Sequence, residues 1–124
     1  MSRPSVNSIA AFVPSRDFEA SRSFYIDLGF EQVWGDESAC GLQIDGQDII
    51  LQNFYVKEHA ENFMMTLRVD DTNAWWERIK ALDLKEKYQL GIANPPEMQP
   101  WGIRVLYITD PTGVLWHIAE TPGK

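Results

Sequence analysis

SRDFEASRSFYIDLGF, residues 15–30, and FMMTLRVDDTNAWWERIKAL, residues 63–82, follow one grammar, and their agreement decides the fold. In the first stretch Asp17 is placed as an N-cap, its carboxylate available to the free amides of the first helical turn. Phe18, Phe24, Tyr25 and Leu28 then fall on one helical stripe, and Gly29 supplies a stop. In the second stretch Asp71 takes the place of Asp17, and Trp75, Ile79 and Leu82 form the stripe. Superposing the two Asp residues brings Leu28 onto Leu82, so the chain reads as an internal duplication.

Outward from these helices the strands repeat too. Ser8–Val13 precedes the first helix, and Pro14 suits a strand end. Phe30–Trp34 follows it, then Ala39–Ile44 and Asp48–Phe54, joined by the hairpin signal Asp45-Gly46. In the second half Phe63–Val69 precedes the helix, and Lys87–Leu90 reads as a short strand after it. Asn94-Pro95-Pro96 must be loop, because proline can neither donate to a ladder nor continue a helix. Ile103–Thr109 and Val114–Glu120 form a last hairpin across Asp110-Pro111-Thr112-Gly113. The expected fold class is α+β: one domain over residues 1–124, built from two βαβββ repeats spanning about 5–56 and 61–122. Each repeat makes a curved mixed sheet with a helix on one face, and the free faces border a cleft.

Composition narrows the function. With 18 acidic and 11 basic residues the formal charge is −7, which argues against nucleic acid and favours a cationic guest. No apolar run approaches the roughly 18 residues needed to span a bilayer, so no membrane partner is expected. The N-terminus leads straight into a strand-like segment without a signal peptide's pattern. Cys40 is the only cysteine, which precludes an internal disulfide and points to the reducing cytoplasm. No G-x-S-x-G elbow, phosphate-binding glycine loop, paired-cysteine or HExxH element is present.

Strand alternation assigns the cleft wall. Met65, Leu67 and Val69 should pack on a helix, leaving Met64, Thr66 and Arg68 on the open face. By the same rule Trp116 and Ile118 face the helix, while Leu115, His117 and Ala119 face the cleft. Ala10 and Phe12, and Ile50, Gln52 and Phe54, join them. Trp34, Tyr55 and Trp101 lie near strand ends, where they could close over a guest. The expected ligand-binding set is Phe12, Trp34, Gln52, Phe54, Met64, Arg68, Trp101 and His117: apolar and aromatic, with few hydrogen-bonding groups, suited to a flat organic molecule. Phe24, Tyr25, Trp75, Trp76 and Trp116 read as packing, and Cys40 as inert burial.

Val13-Pro14, Asp17-Phe18-Glu19-Ala20-Ser21, Phe24-Tyr25 and Leu28-Gly29-Phe30 resemble the opening of the vicinal-oxygen-chelate superfamily. Val69-Asp70-Asp71 and Asp110-Pro111-Thr112-Gly113 extend the resemblance over almost the whole chain. It implies a metal held by four residues in catalytic members, at positions that here carry Ala10, Gln52, Met64 and His117. Alanine and methionine are no ligands for a hard or borderline divalent ion, so neither metal nor cofactor is expected. Pro100-Trp101-Gly102, Arg104, Asp110-Pro111, Gly113 and His117 are similar to the bleomycin-resistance branch of that superfamily. This likeness implies a non-catalytic homodimer that exchanges N-terminal strands and sequesters a cationic, partly aromatic glycopeptide antibiotic in two shared clefts. The alternative is an enzyme of the superfamily, a lyase, isomerase or dioxygenase, acting on a small organic substrate.

Overall fold

Asp17 and Asp71 start their helices as expected. The carboxylate of Asp17 accepts the Ala20 amide at 3.1 Å, and that of Asp71 accepts Asn73 and Ala74 at 3.0 and 3.2 Å. A computed structural model describes residues 2–122. Its first half comprises β1 (Ala10–Pro14), α1 (Phe18–Leu28), β2 (Glu31–Gly35), β3 (Ala39–Ile44) and β4 (Gln47–Gln52). A short helix, α2 (Lys57–Glu61), leads to β5 (Met64–Val69), α3 (Thr72–Ala81), α4 (Leu84–Lys87), β6 (Glu97–Met98), β7 (Arg104–Thr109) and β8 (Leu115–Glu120).

The two sheets have one topology. Their strand orders are β1-β4-β3-β2 and β5-β8-β7-β6. In each, the strand before the helix runs parallel to the last strand of the repeat, and the other pairs are antiparallel. The helix thus serves as the crossover that parallel pairing requires. Pro14 is tolerated because β1 is an edge strand, where a missing amide breaks no ladder.

Both helix-bearing faces empty into a single core. Val13, Leu42, Ile49 and Leu51 from the first sheet join Leu106, Ile108, Trp116 and Ile118 from the second. Phe24, Tyr25 and Leu28 of α1 are fully buried among them, each such side chain contributing about 1.5–3 kcal/mol through the area removed from water. Tyr25 stacks edge-on against Phe24, Phe30 and Trp116 with ring centroids 5.1–5.8 Å apart. Arg78 of α3 donates to the carbonyls of Asp27 and Leu28 at 2.9–3.2 Å. It thereby supplies positive charge at the C-terminal end of α1. Asp27 in turn accepts Lys87 and the Tyr88 hydroxyl at 2.7 and 2.6 Å.

Two expectations are corrected. Lys87–Leu90 is not a strand: Leu84–Lys87 is helical, and Gln89 turns the chain at φ 55. The short strand before the last hairpin is Glu97–Met98 instead. Leu82 does not close the apolar stripe of α3; it is the helix C-cap and stands exposed, while Leu84 of α4 fills that part of the core.

Candidate functional site

The faces turned away from the helices carry the candidate site. On the first sheet, register places Phe12 beside Ile50, Ile50 beside Gly41, and Gly41 beside Trp34. Residues directly opposite one another share a face, so these four form one row across all four strands. Trp34 reaches this face because the β2–β3 register slips between Gln32 and Trp34, leaving Val33 as the extra residue of a bulge. Phe12 and Trp34 remain about half exposed.

On the second sheet the corresponding row is Thr66, His117 and Tyr107. The Tyr107 and His117 rings meet edge-on at 4.9 Å. His117 Nε2 is buried yet has no hydrogen-bond partner among the described residues, an orphaned polar atom between Thr66 and Tyr107. Met64 pairs with Leu115 and is exposed; Arg68 lies beside Ala119 and donates to the Glu120 carbonyl at 3.4 Å. Alternation therefore predicts the exposed set on β5 correctly: Met64, Thr66 and Arg68 are exposed, and Met65, Leu67 and Val69 are turned inward.

The remaining candidates sit at strand ends. Gln52 closes β4 opposite Pro14 and Ala39 and is half-buried. Phe54, expected within the strand Asp48–Phe54, instead lies beyond its end, because β4 stops at Gln52; it is exposed, its carbonyl accepting the Ser15 amide at 3.1 Å. Trp101 is 61 % exposed at the tip of the turn between β6 and β7. That turn is closed by the Gly102 amide donating to Gln99, with Gly102 at φ 85, a conformation that suits glycine. Tyr55 is instead engaged by the Arg16 guanidinium, 5.6 Å from its ring centroid.

One chain does not bring these eight side chains into one pocket. A groove of about 770 Å³ runs along the free edge of β5, lined by Phe30, Trp75 and Trp116 and by Asp45, Asp48 and Asp71. Of the eight, only Arg68 lines it. Sequence reasoning missed this groove, because an edge strand is not marked in the pattern of its own residues.

A metal of the superfamily type does not fit the residues present. Register puts Ala10 beside Asp48 and Gln52 beside Pro14, so these two positions stand at opposite ends of the first sheet. The residue beside His117 is Thr66, not Met64. Among the described residues no three His, Cys, Asp or Glu side chains cluster in a way that could hold an ion. Cys40 is buried, and desolvation pushes its thiol pKa up, which disfavours the reactive thiolate.

Duplicated four-strand mixed sheets that share one core with their helices define a vicinal-oxygen-chelate type of fold. The chain belongs to the Glyoxalase/Bleomycin resistance protein/Dioxygenase superfamily, whose pattern matches residues 5–118. It is 30% identical over 112 residues, 87% of either chain, to a bleomycin resistance protein of Klebsiella pneumoniae. It superposes on a bleomycin-binding protein solved with bleomycin at a TM-score of 0.77 and 27% identity, covering 94% of this chain and 99% of that one. A bleomycin resistance determinant encoded on the transposon Tn5 gives a TM-score of 0.76 at 25% identity and the same coverage. No helix among the described residues is long and apolar enough to cross a membrane.

Proposed function

We propose that the protein binds a cationic glycopeptide of the bleomycin type and sequesters it without turnover, in the cytoplasm, as a homodimer. The observation that carries this reading is the set of large apolar and aromatic side chains left exposed on the open sheet faces and at the strand ends. Phe12, Trp34, Phe54, Met64 and Trp101 all stand 46–62 % exposed on a chain with an otherwise well-filled core. Exposed apolar faces of this kind mark interaction surfaces. A second copy, placing the second sheet of one chain against the first sheet of the other, would cover them and form two equivalent clefts.

In such a cleft Phe12, Trp34, Phe54 and Met64 supply apolar wall, and Trp101 a stacking ring at the rim. Gln52, Arg68 and His117 supply the few directional contacts, the Nε2 of His117 being buried and still without a partner among the described residues. The charge of −7 draws a cationic guest toward the protein and away from competing anions. The similarity to proteins named for bleomycin resistance and binding supports this ligand class. The test is titration of tryptophan fluorescence with metal-free bleomycin. Saturable quenching with one guest per chain is expected; tighter binding of simple anionic metabolites, or turnover of a hemithioacetal, would overturn the reading.

A further inference from the structure

Gly41 occupies the middle of β3, where strand propensity gives glycine no advantage. Its backbone is not in the left-handed region, unlike Gly29, Gly46, Gly102 and Gly113. Conformation therefore does not require glycine here. Room does. A Cβ at this position would overlap the indole Nε1 of Trp34 and stand 2.5 Å from Cδ1 and 2.7 Å from Cε2, whereas ordinary contacts begin at 3.4 Å. The Trp34 ring lies flat on the bare backbone of its cross-strand partner.

We infer that Gly41 is the positioning residue of an aromatic platform: it seats the Trp34 indole flat on the open face, ready to stack a planar conjugated group of the ligand. Three features meet in this seat. The bulge at Val33 brings Trp34 onto the open face. Gly41 lets the ring descend onto the strand, so that its lower face is covered and its upper face is left to solvent. The neighbouring Ile50 and Phe12 continue the row as a low apolar floor ending in a second aromatic ring. A ring held in advance loses little freedom on binding, which is how a pre-organised wall gains affinity over a mobile one. A planar conjugated ligand segment gains most from such a surface, since it can cover the whole indole face.

This inference deepens the proposed ligand reading and rests on it for the identity of the guest, but the seat can be tested without any ligand. In Gly41→Ala the backbone can remain as it is, while the indole must swing away. Comparing acrylamide quenching in Gly41→Ala and wild type, each with and without Trp34→Phe to isolate that ring, should show Trp34 becoming several-fold more quenchable. Unchanged quenching would overturn the seat. With metal-free bleomycin as probe, Gly41→Ala should weaken binding roughly tenfold, and adding Trp34→Phe should cost little more, because the two changes remove one platform. Full additivity of the two losses would also overturn the inference. If wild-type protein binds no bleomycin, the ligand reading fails and the quenching comparison alone decides the seat. Should Gly41→Ala not fold, fluorine NMR of wild-type protein labelled with fluorotryptophan answers the same question. A Trp34 resonance well removed from that of the free amino acid is expected; one coincident with it would mean the ring is not seated.

Discussion

The Tyr25 hydroxyl donates to Asp110 Oδ2 across 2.6 Å while accepting the Trp116 indole N–H at 2.9 Å. Oδ1 of the same aspartate accepts the amides of Thr112, Gly113 and Val114 at 2.8–3.0 Å. A helix of the first repeat is thereby tied to the last turn of the second through a fully buried ring. Ser21 and the Arg16 amide, both contacting the Thr112 hydroxyl, reinforce the tie.

Tyr25→Phe should therefore destabilise the protein by about 2 kcal/mol, because it leaves a buried indole N–H and a carboxylate oxygen without a partner. The ring volume is unchanged, so packing is not the cause. Urea unfolding checks this: the midpoint should fall with the slope m unaltered. A loss below about 0.5 kcal/mol would show that the hydroxyl is not a working link.

Acid sensitivity should centre in part on Asp27. Partial burial raises its pKa, but hydrogen bonds from Lys87 and Tyr88, with the charges of Lys87 and Arg78, outweigh this and hold it below 3.8. A carboxyl with a depressed folded pKa gives stability that is present above the unfolded value and lost as pH falls through the folded one. Asp27→Asn should thus flatten the stability profile below about pH 4 and cost less than about 1 kcal/mol at neutrality, since Asp27 is only partly buried and Lys87 is exposed, so solvent screens the pair. Thermal melts between pH 2.5 and 7 would read it, roughly spanning the window set by that linkage. Asp110 acts in the opposite sense: burial raises its pKa, so its contribution is full at low pH and declines as pH rises.

Trp101→Ala should weaken glycopeptide binding by roughly tenfold or more, about 1.4 kcal/mol, as for one stacking ring. Because the ring is exposed at a turn, far-UV circular dichroism and the melting temperature should hardly change. Raising the salt concentration should weaken binding to wild type, since part of the attraction is long-range.

Light scattering at tens of micromolar should give a dimer. Ile9 is 90 % exposed in the single chain and borders the groove beside β5, so in the proposed dimer it should be covered by the second copy. Ile9→Glu should raise the dimer dissociation constant about tenfold or more, as expected when an apolar side chain worth about 1.5–3 kcal/mol on burial becomes charged. A wild-type monomer at that concentration would remove the shared clefts.

Untagged protein should carry no stoichiometric zinc, nickel, iron or manganese by elemental analysis, because Ala10 offers no donor and the Met64 thioether is a poor one for these ions. One tightly held metal per chain would favour the enzymatic alternative.

Much of this arrangement is legible in the residues because the signals are local and periodic. Asp17 and Asp71 announce their helices, Asp45-Gly46 its hairpin, and Met64 to Val69 alternate strictly between solvent and core. What escapes is either too short to be periodic or set by a distant partner. Lys57–Glu61 and Leu84–Lys87 span hardly more than a turn, so no stripe can form. Leu82 and Leu84 exchange places in the core because the chain turns at Asp83, which adopts φ 53. Trp34 over Gly41 depends on a bulge and a cross-strand partner, neither of which leaves a mark in the order of residues along β2.

The ties between the repeats set an order of events in the cell. Tyr25 waits for Asp110, 85 residues later, and for Trp116, 91 residues later; the Arg16 amide waits for Thr112, 96 residues on. On the ribosome, the first half emerges with the aromatic face of its helix only partly covered, by Phe30 and the strands of its own sheet, until Tyr88 and Trp116 follow. Completion must follow release of nearly the entire polypeptide, so the halves mature together rather than in sequence, despite sharing one blueprint. That interval of exposure is when the chain is most open to chaperones and to aggregation.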